Sequence, residues 1–341
     1  MNIVITCAGR RIDLINFFKD ALAKNGYVLA CDANPNAAAL QKADKGFVVP
    51  SVKHSDYFDI IVNICKQHQV RLLIPLLDLE LPLLARQRDR FLEVGTFPVI
   101  SSPEVIDTCF DKWATFELLT NWGISVPKTY ISLSDARQAL SQGEIKFPLV
   151  IKPRWGSASV GIFSVQDDEE MEMAYQFAKK LIFGTSLADV SAKDPQRCVL
   201  IQEKLYGQEY SLDIINNLTG SYITTFAKRK LSMLAGSTDA AIVVDDKRLK
   251  DLGASIGQQL GHISSLDCDV IVTADGCFVI DMNPRLGGGY PFSHQAGANL
   301  PAALIAWASG KEADPNWLKV RPNFMAAKFD ALEEIKSMAT V

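Results

Sequence analysis

Residues 279–292 read VIDMNPRLGGGYPF. Asp281, Asn283 and Arg285 stand at every second position, and Gly287, Gly288 and Gly289 follow. On a strand, side chains two apart share a face, so a carboxylate, an amide and a guanidinium point one way. Ile280, Met282 and Pro284 point elsewhere. The glycines then remove side chains from the next stretch, so the backbone there can approach a ligand closely. A strand that simply ends in an Asn-Pro turn with a surface arginine is the plainer reading of the same residues.

The strand before it reads SLDCDVIVT, and ADGC joins the two. The turn decides which acid joins the polar face. A two-residue Asp275-Gly276 turn pairs residue 270 with 281 and leaves Asp269 on the wrong side. A three-residue loop, Ala274-Asp275-Gly276 with Gly276 left-handed, pairs 269 with 281 and 267 with 283. We adopt the second register, which sets Asp269 beside Asp281 and Asn283. Three oxygen donors on one face suit Mg²⁺, which takes few protein ligands and shares the rest with phosphate and water. Arg285 is then placed to stabilise charge developing on a transferred group.

Two more stretches fit the same chemistry. Residues 147–163 read FPLVIKPRWGSASVGIF: an apolar strand ends at Lys152, and a small-residue loop follows. Such a loop offers backbone N–H groups and hydroxyls to an anion, with Lys152 as a point charge beside it. It is not a Walker A loop, because GxxxxGK[ST] is absent; a plain hairpin turn also fits it. Residues 200–213 read LIQEKLYGQEYSLD. A strand linking two lobes can bind a purine base through its backbone, with Glu203 near the amino group and Glu209 near the ribose. Both acids also suit a solvated surface, the commoner fate of glutamate.

The bulk numbers agree with a globular protein. The 341 residues are 48% hydrophobic and 22% charged, enough for two or three packed domains. The formal charge of -4 gives no support for nucleic acid or membrane lipid as the main partner. No apolar run reaches the length of a membrane span. The start, MNIVITCAGRR, lacks a basic leader and reads as a first strand. Seven dispersed cysteines without a CxxC pair suit free thiols in a reducing cytoplasm. The four histidines show no zinc spacing.

The first third alternates strands and helices: NIVITCA, YVLACD, RLLIPLL and TFPVI as strands, with amphipathic helices between them. That rhythm predicts a parallel sheet, with ligands outside the carboxyl ends of its strands. The loops there carry Arg10, Arg11, Asp32, Asp78 and Glu80. A dinucleotide site needs GxGxxG after the first strand, and CAGRRID offers one glycine. The first helix is expected to run until Gly26 stops it. A helix over SPEVIDTCFDKWATFELLTNWG is expected next, with Ser102 as N-cap and Gly123 as its stop. Beyond it, SDARQALSQG is expected as a short helix and FPLVIK as a buried strand, a lid-like piece runs to about residue 200, and a β-rich segment then reaches 282.

Lys112, FPLVIKPRWGSASVG, QEKLYGQE and VIDMNPRLGGG, in that order, resemble the ATP-grasp enzymes, and among them single-unit proteins similar to the carbamoyl-phosphate synthase large subunit. The resemblance covers essentially the whole chain. It implies an α/β fold, α+β in the core. A parallel-sheet pre-ATP-grasp domain (1–108) precedes a two-lobed ATP-grasp fold, its first part with the lid (109–203) and its second with the metal and catalytic residues (204–341). It implies ATP and two Mg²⁺ ions, Mn²⁺ being an alternative. Lys112 and Lys152 would meet the phosphates, with Ser157, Ser159 and Gly161 in the phosphate loop. Glu203 and Leu205 would frame adenine, with Lys204 beside them and Glu209 on the ribose. Asp269, Asp281 and Asn283 would hold the metals. Arg285 would act in catalysis, and so would Arg229, for which Lys230 is a rival. Arg10 and Arg11 would take a substrate carboxylate, Asp78 or Glu80 an ammonium group, and Gly236, Ser237 and Gly288 would border the second substrate.

The implied reaction joins a carboxylate to an amine through an acyl phosphate, in the cytoplasm. A small-molecule kinase and an ATP-binding module without turnover remain open. A nicotinamide oxidoreductase would leave the C-terminal motifs unexplained. An apolar helix face makes a homodimer plausible. The sequence departs from the family pattern in carrying Asp where Glu is common at 281 and Asp where Gln or Glu is common at 269. It also ends soon after the core.

Overall fold

The computed structural model describes residues 1–156 and 161–336. Strands β1 (Asn2–Thr6), β2 (Val28–Asp32), β3 (Lys45–Val48), β4 (Val70–Pro75) and β5 (Phe97–Pro98) form one parallel sheet, in the order β3-β2-β1-β4-β5. Alternation along β1 sends Ile3 and Ile5 to one apolar layer and Val4 to the other, so both faces are covered. The β3 strand is an element that the sequence reading omits. It is short, and only its last residue is buried. The first helix ends at Leu22, four residues before Gly26, because Ala23 and Lys24 turn left-handed.

The expected long helix after Ser102 is two helices, Pro103–Phe110 and Lys112–Asn121. Ser102 caps the first, through Val105 N–H. Asp111 breaks the run: its carboxylate accepts from Trp113 and Ala114 N–H and from the Arg154 guanidinium at 2.6 Å. An aspartate with that many donors is worth more as a cap than as a helix interior residue. The break sends Lys112 towards the site.

Strands β6 (Thr129–Tyr130), β7 (Leu149–Pro153), β8 (Phe163–Val165) and β9 (Val199–Glu203) make an antiparallel sheet ordered β6-β9-β7-β8. A second antiparallel sheet has the order β14-β13-β10-β11-β12-β15. Its members are β10 (Gln208–Asn216), β11 (Tyr222–Leu234), β12 (Ser237–Val244), β13 (Ser265–Val272), β14 (Cys277–Asn283) and β15 (Met325–Ala327).

This second sheet is strictly two-faced. Leu212, Ala227, Cys268, Val270, Val279 and Met282 pack beneath Leu249 and Ile256 of the Lys247–Leu260 helix and Leu119 of the Lys112–Asn121 helix. The opposite face carries the polar residues Ser211, Asp213, Lys228, Lys230, Asp267, Asp269 and Asp281, and towards one end the apolar Ile215 and Phe226. The Leu300–Ala308 helix is apolar nearly all round, as a helix enclosed by protein should be. It packs against the parallel sheet and against Ile215 and Phe226 of the second sheet.

Candidate active site

The β13–β14 hairpin pairs Asp269 with Asp281 and Asp267 with Asn283. The register at the acids is the one read from the sequence, but the turn produces it differently. Pairing starts at Val272 with Cys277, around a four-residue loop closed by Thr273 N–H to Gly276 carbonyl at 2.9 Å. A bulge between Asp269 and Val270 on the register, with Ile280 the unpaired residue of β14, then restores the alignment. Gly276 has a φ of +147°, positive but far from the left-handed helical value expected of it.

The polar face of the sheet carries Asp267, Asp269, Asp281 and Asn283, and on β11 Lys228 and Lys230. It lines a cavity of about 580 Å³ against the four-stranded sheet, from which Val150, Lys152 and Gln202 project. Strand parity selects between the two basic residues on β11. Arg229 pairs with Tyr210, lies on the opposite face and is exposed. Lys230 is buried and its Nζ sits 2.9 Å from Asp269 Oδ2 and 3.6 Å from Glu209 Oε2. The structure thus brings Lys230, and not Arg229, into the cavity.

Lys112 Nζ lies 2.7 Å from Asp281 Oδ1 and donates to the Gly156 carbonyl at 2.8 Å. Burial disfavours the Asp281 carboxylate, but the charge and hydrogen bond of Lys112, then the charge of Lys152, outweigh it and hold the group below the usual range. Lys152 Nζ donates to Gln202 Oε1 at 2.9 Å, and Gln202 donates in turn to Thr129 Oγ1 at 2.7 Å. Burial first, and Lys112 second, bring the Lys152 ammonium down to about 8. Asp269 is pushed up by burial, with Lys230 pulling back and Asp267 adding to the rise.

Arg285 is clamped by two acids far apart in the chain. Its Nε lies 3.1 Å from Asp78 Oδ1, and its Nη1 lies 2.8 Å from Asp267 Oδ2. These neighbours overcome burial and hold its charge firmly. Asp267 is the residue that sequence reasoning left out. The signal was present, since Asp267 and Asp269 are two apart and the adopted register pairs 267 with 283. Gly287 is fixed by the same acid: a Cβ there would stand 2.3 Å from Asp267 Cγ.

The remaining sequence-derived residues divide between the cavity and places away from it. Glu203 Oε1 accepts from Lys128 N–H at 2.8 Å, and Lys204 Nζ donates to Ser164 Oγ at 3.0 Å. Glu203, Lys204, Leu205, Glu209 and Gly236 line the cavity. Gly161 has a φ of +73°; Ser157 and Ser159 lie outside the described residues. Arg10 projects into solvent and meets Asp330. Arg11 Nη2 donates to the Gly287 carbonyl at 3.2 Å. Glu80 does not reach the cavity. It is fully buried in the N-terminal domain, accepting from Thr6 Oγ1 at 2.9 Å and Tyr57 OH at 2.5 Å, and burial lifts it to about 7. Ser237 Oγ lies beside Gly288, which a Cβ would bring to 3.0 Å.

One cavity therefore brings Lys112, Lys152 and Lys230 together with four oxygen-bearing side chains, Lys112 paired directly with Asp281 and Lys230 with Asp269. Among the described residues no three acidic, histidine or cysteine side chains close on a single point. The acids instead form a row, which suits ions whose other ligands come from a bound polyanion.

Comparison with known proteins agrees with this construction. Residues 3–100 match the PylC-like N-terminal domain. The carbamoyl phosphate synthase large chain of Methanoculleus marisnigri is 25% identical over 268 residues, which is 76% of this chain and 23% of that protein. The chain thus spans about a quarter of the length of that relative. The D-alanine--D-alanine ligase of Pseudomonas fluorescens is 26% identical over 198 residues, covering 55% of this chain and 57% of the relative. Among solved structures, the biotin carboxylase domain of Hydrogenobacter thermophilus 2-oxoglutarate carboxylase superposes with a TM-score of 0.74 at 14% identity, over 94% of this chain and 72% of that one. Residues 109–289, just over half the chain and the part that holds Lys112, Lys152, Asp281, Asn283 and Arg285, match the ATP-grasp domain, and the chain belongs to that family.

Proposed function

We propose that this protein is an ATP-dependent ligase that joins a small-molecule carboxylate to an amine through an acyl phosphate, releasing ADP and phosphate. One observation carries the reading: Lys112, Lys152, the acid row and Arg285 converge on a single cavity of about 580 Å³. Lys112 and Lys152 bind and orient the triphosphate. Glu203 and Leu205 border the adenine, Lys204 stands beside them, and Glu209 reaches the ribose. Asp269, Asp281 and Asn283, with Asp267 behind them, would hold two Mg²⁺ ions. When bound, the metals would neutralise phosphate charge. Arg285 faces the reacting carbonyl, and Asp78 and Asp267 fix its orientation. Lys230, held between Asp269 and Glu209, takes the place first considered for Arg229.

No described helix is long and apolar enough to cross a membrane. A cytoplasmic metabolic enzyme acting on small molecules is the setting we infer, and the family match supports it.

The test combines MgATP, hydroxylamine and pools of amino acids and small carboxylic acids, measuring ADP and hydroxamate together. The expected result is hydroxamate that depends on one carboxylate and is lost in Arg285→Ala. ADP that depends on a pool member but comes without hydroxamate would replace ligation with phosphorylation of a hydroxyl or amine.

A further inference from the structure

Three adjacent strands of the four-stranded sheet, β6, β9 and β7, carry Thr129, Gln202 and Lys152, and all three side chains are buried. Thr129 pairs with Gln202 in register, and Gln202 pairs with Val150, two residues before Lys152. The three therefore share one face of the sheet. Lys152 and Gln202 line the cavity, and Thr129, one strand further out, does not. The Lys152 ammonium donates to Gln202 Oε1 at 2.9 Å; its other acceptor among the described residues is the Ile280 carbonyl, at 3.4 Å. Gln202 Nε2 donates to Thr129 Oγ1 at 2.7 Å, and Thr129 Oγ1 donates to the Pro127 carbonyl at 2.9 Å.

Donation along this relay runs one way. An ammonium only donates, so Lys152 needs the oxygen end of the Gln202 amide. The two ends of an amide have nearly the same shape, and only its partners choose between them. Thr129 makes that choice. The Pro127 carbonyl only accepts, so it takes the Thr129 hydroxyl proton and leaves Oγ1 with its lone pairs towards Gln202. An amide N–H must then face Thr129, and the amide oxygen must face Lys152. Without the hydroxyl the amide is free to turn over, which sets two donors against each other in a buried site, and an unsatisfied buried donor is costly. The end of the relay is itself fixed. Glu203 N–H donates to the Lys128 carbonyl at 2.9 Å, and Lys128 N–H donates to Glu203 Oε1 at 2.8 Å, which holds residues 127–129 beside 202–203.

We propose that Thr129 and Gln202 are positioning residues for Lys152, holding its ammonium at the cavity wall where it meets the triphosphate. Thr129 acts at one remove, through the amide and from outside the cavity. Pro127, at the far end of the relay, lines the same cavity. The relay thus joins the wall that carries Lys152 to the segment tied to Glu203. This role rests on the reading of the cavity as an ATP site.

The experiment is a double-mutant cycle read by the affinity of a fluorescent ATP analogue with Mg²⁺, with thermal melting by circular dichroism to confirm that each variant is folded. Thr129→Val keeps nearly the same shape and removes the hydroxyl. It should weaken binding about tenfold, and Thr129→Ser, which restores the hydroxyl, should bind within about twofold of the parent chain. Lys152→Met should also weaken binding, and in that background Thr129→Val should change the affinity by less than about twofold. A threonine with a merely structural role would cost the same factor in both backgrounds, and that result overturns the proposal. So does a Thr129→Val variant that binds as tightly as the parent. If Thr129→Val does not fold, Gln202→Met takes its place in the cycle and must show the same dependence on Lys152. A parent chain that does not bind the analogue, or Lys152→Met that binds it normally, removes the ATP reading and the relay's role with it. Loss in Lys152→Met without loss in the Thr129 or Gln202 variant removes the relay alone.

Discussion

Replacing Lys228 with methionine should destabilise the protein by an amount that shrinks in acid. Lys228 and Asp213 are both fully buried, their charged atoms 2.5 Å apart. Ser293 Oγ donates to the same Asp213 Oδ2 at 2.5 Å, and Asp213 Oδ1 has no partner among the described residues. Burial raises the Asp213 carboxyl, with Lys228 opposing the rise. Without Lys228 the carboxylate is an uncompensated buried charge, a change that costs about 3–5 kcal/mol. The group has an escape, because it can take up a proton. Protonating a carboxyl of unfolded pKa about 3.9 costs about 4 kcal/mol at pH 7 and about 1.5 kcal/mol at pH 5. These are ceilings on the loss. The sign follows: with its folded pKa raised, Asp213 favours folding below its unfolded pKa, and that preference is lost as pH rises. Urea unfolding at the two pH values, followed by circular dichroism, measures the difference. Lys228→Met with Asp213→Leu should recover most of the stability. A loss independent of pH, or a double variant no better than the single, refutes the reasoning. The pair also carries the glycine loop, since a Cβ on Gly289 would lie 3.2 Å from Lys228 Cε.

Three further outcomes are expected. Lys230→Met should lower substrate-dependent ADP release by about a hundredfold, while Arg229→Met, changed on the outer face, should stay within about twofold; the two rates decide which residue serves the site. Gly287→Ala forces Asp267 off Arg285, so hydroxamate formation should collapse while binding of a fluorescent ATP analogue persists. With Lys152 brought down to about 8, its charge is present below that pH and is lost above it, so the KM for ATP should rise as pH passes through 8. Lys152→Arg should flatten that rise, because a guanidinium does not titrate there.

The sequence by itself determined the local patterns. Period-two alternation set Asp281, Asn283 and Arg285 on one face, and the β-α-β rhythm of the first hundred residues set a parallel sheet. Both follow from backbone geometry and from where apolar residues must go. The same parity, applied to KRK at 228–230, separates Arg229 from its neighbours; what it leaves open is which face meets the cavity, and strand pairing supplied that.

Tertiary structure decided the rest. The turn alone gave a register of its own, and the bulge at Ile280 restored the alignment of Asp269 with Asp281. Asp111 interrupted a continuous helical pattern because Arg154, 43 residues away, holds its carboxylate. Asp78 and Glu80, two residues apart in one loop, part company: Asp78 meets Arg285 across 207 residues, and Glu80 turns inward to Thr6 and Tyr57. Lys328 reaches Ser237 over 91 residues. Pairings at such separation depend on how whole sheets pack against one another, and no window of sequence contains them.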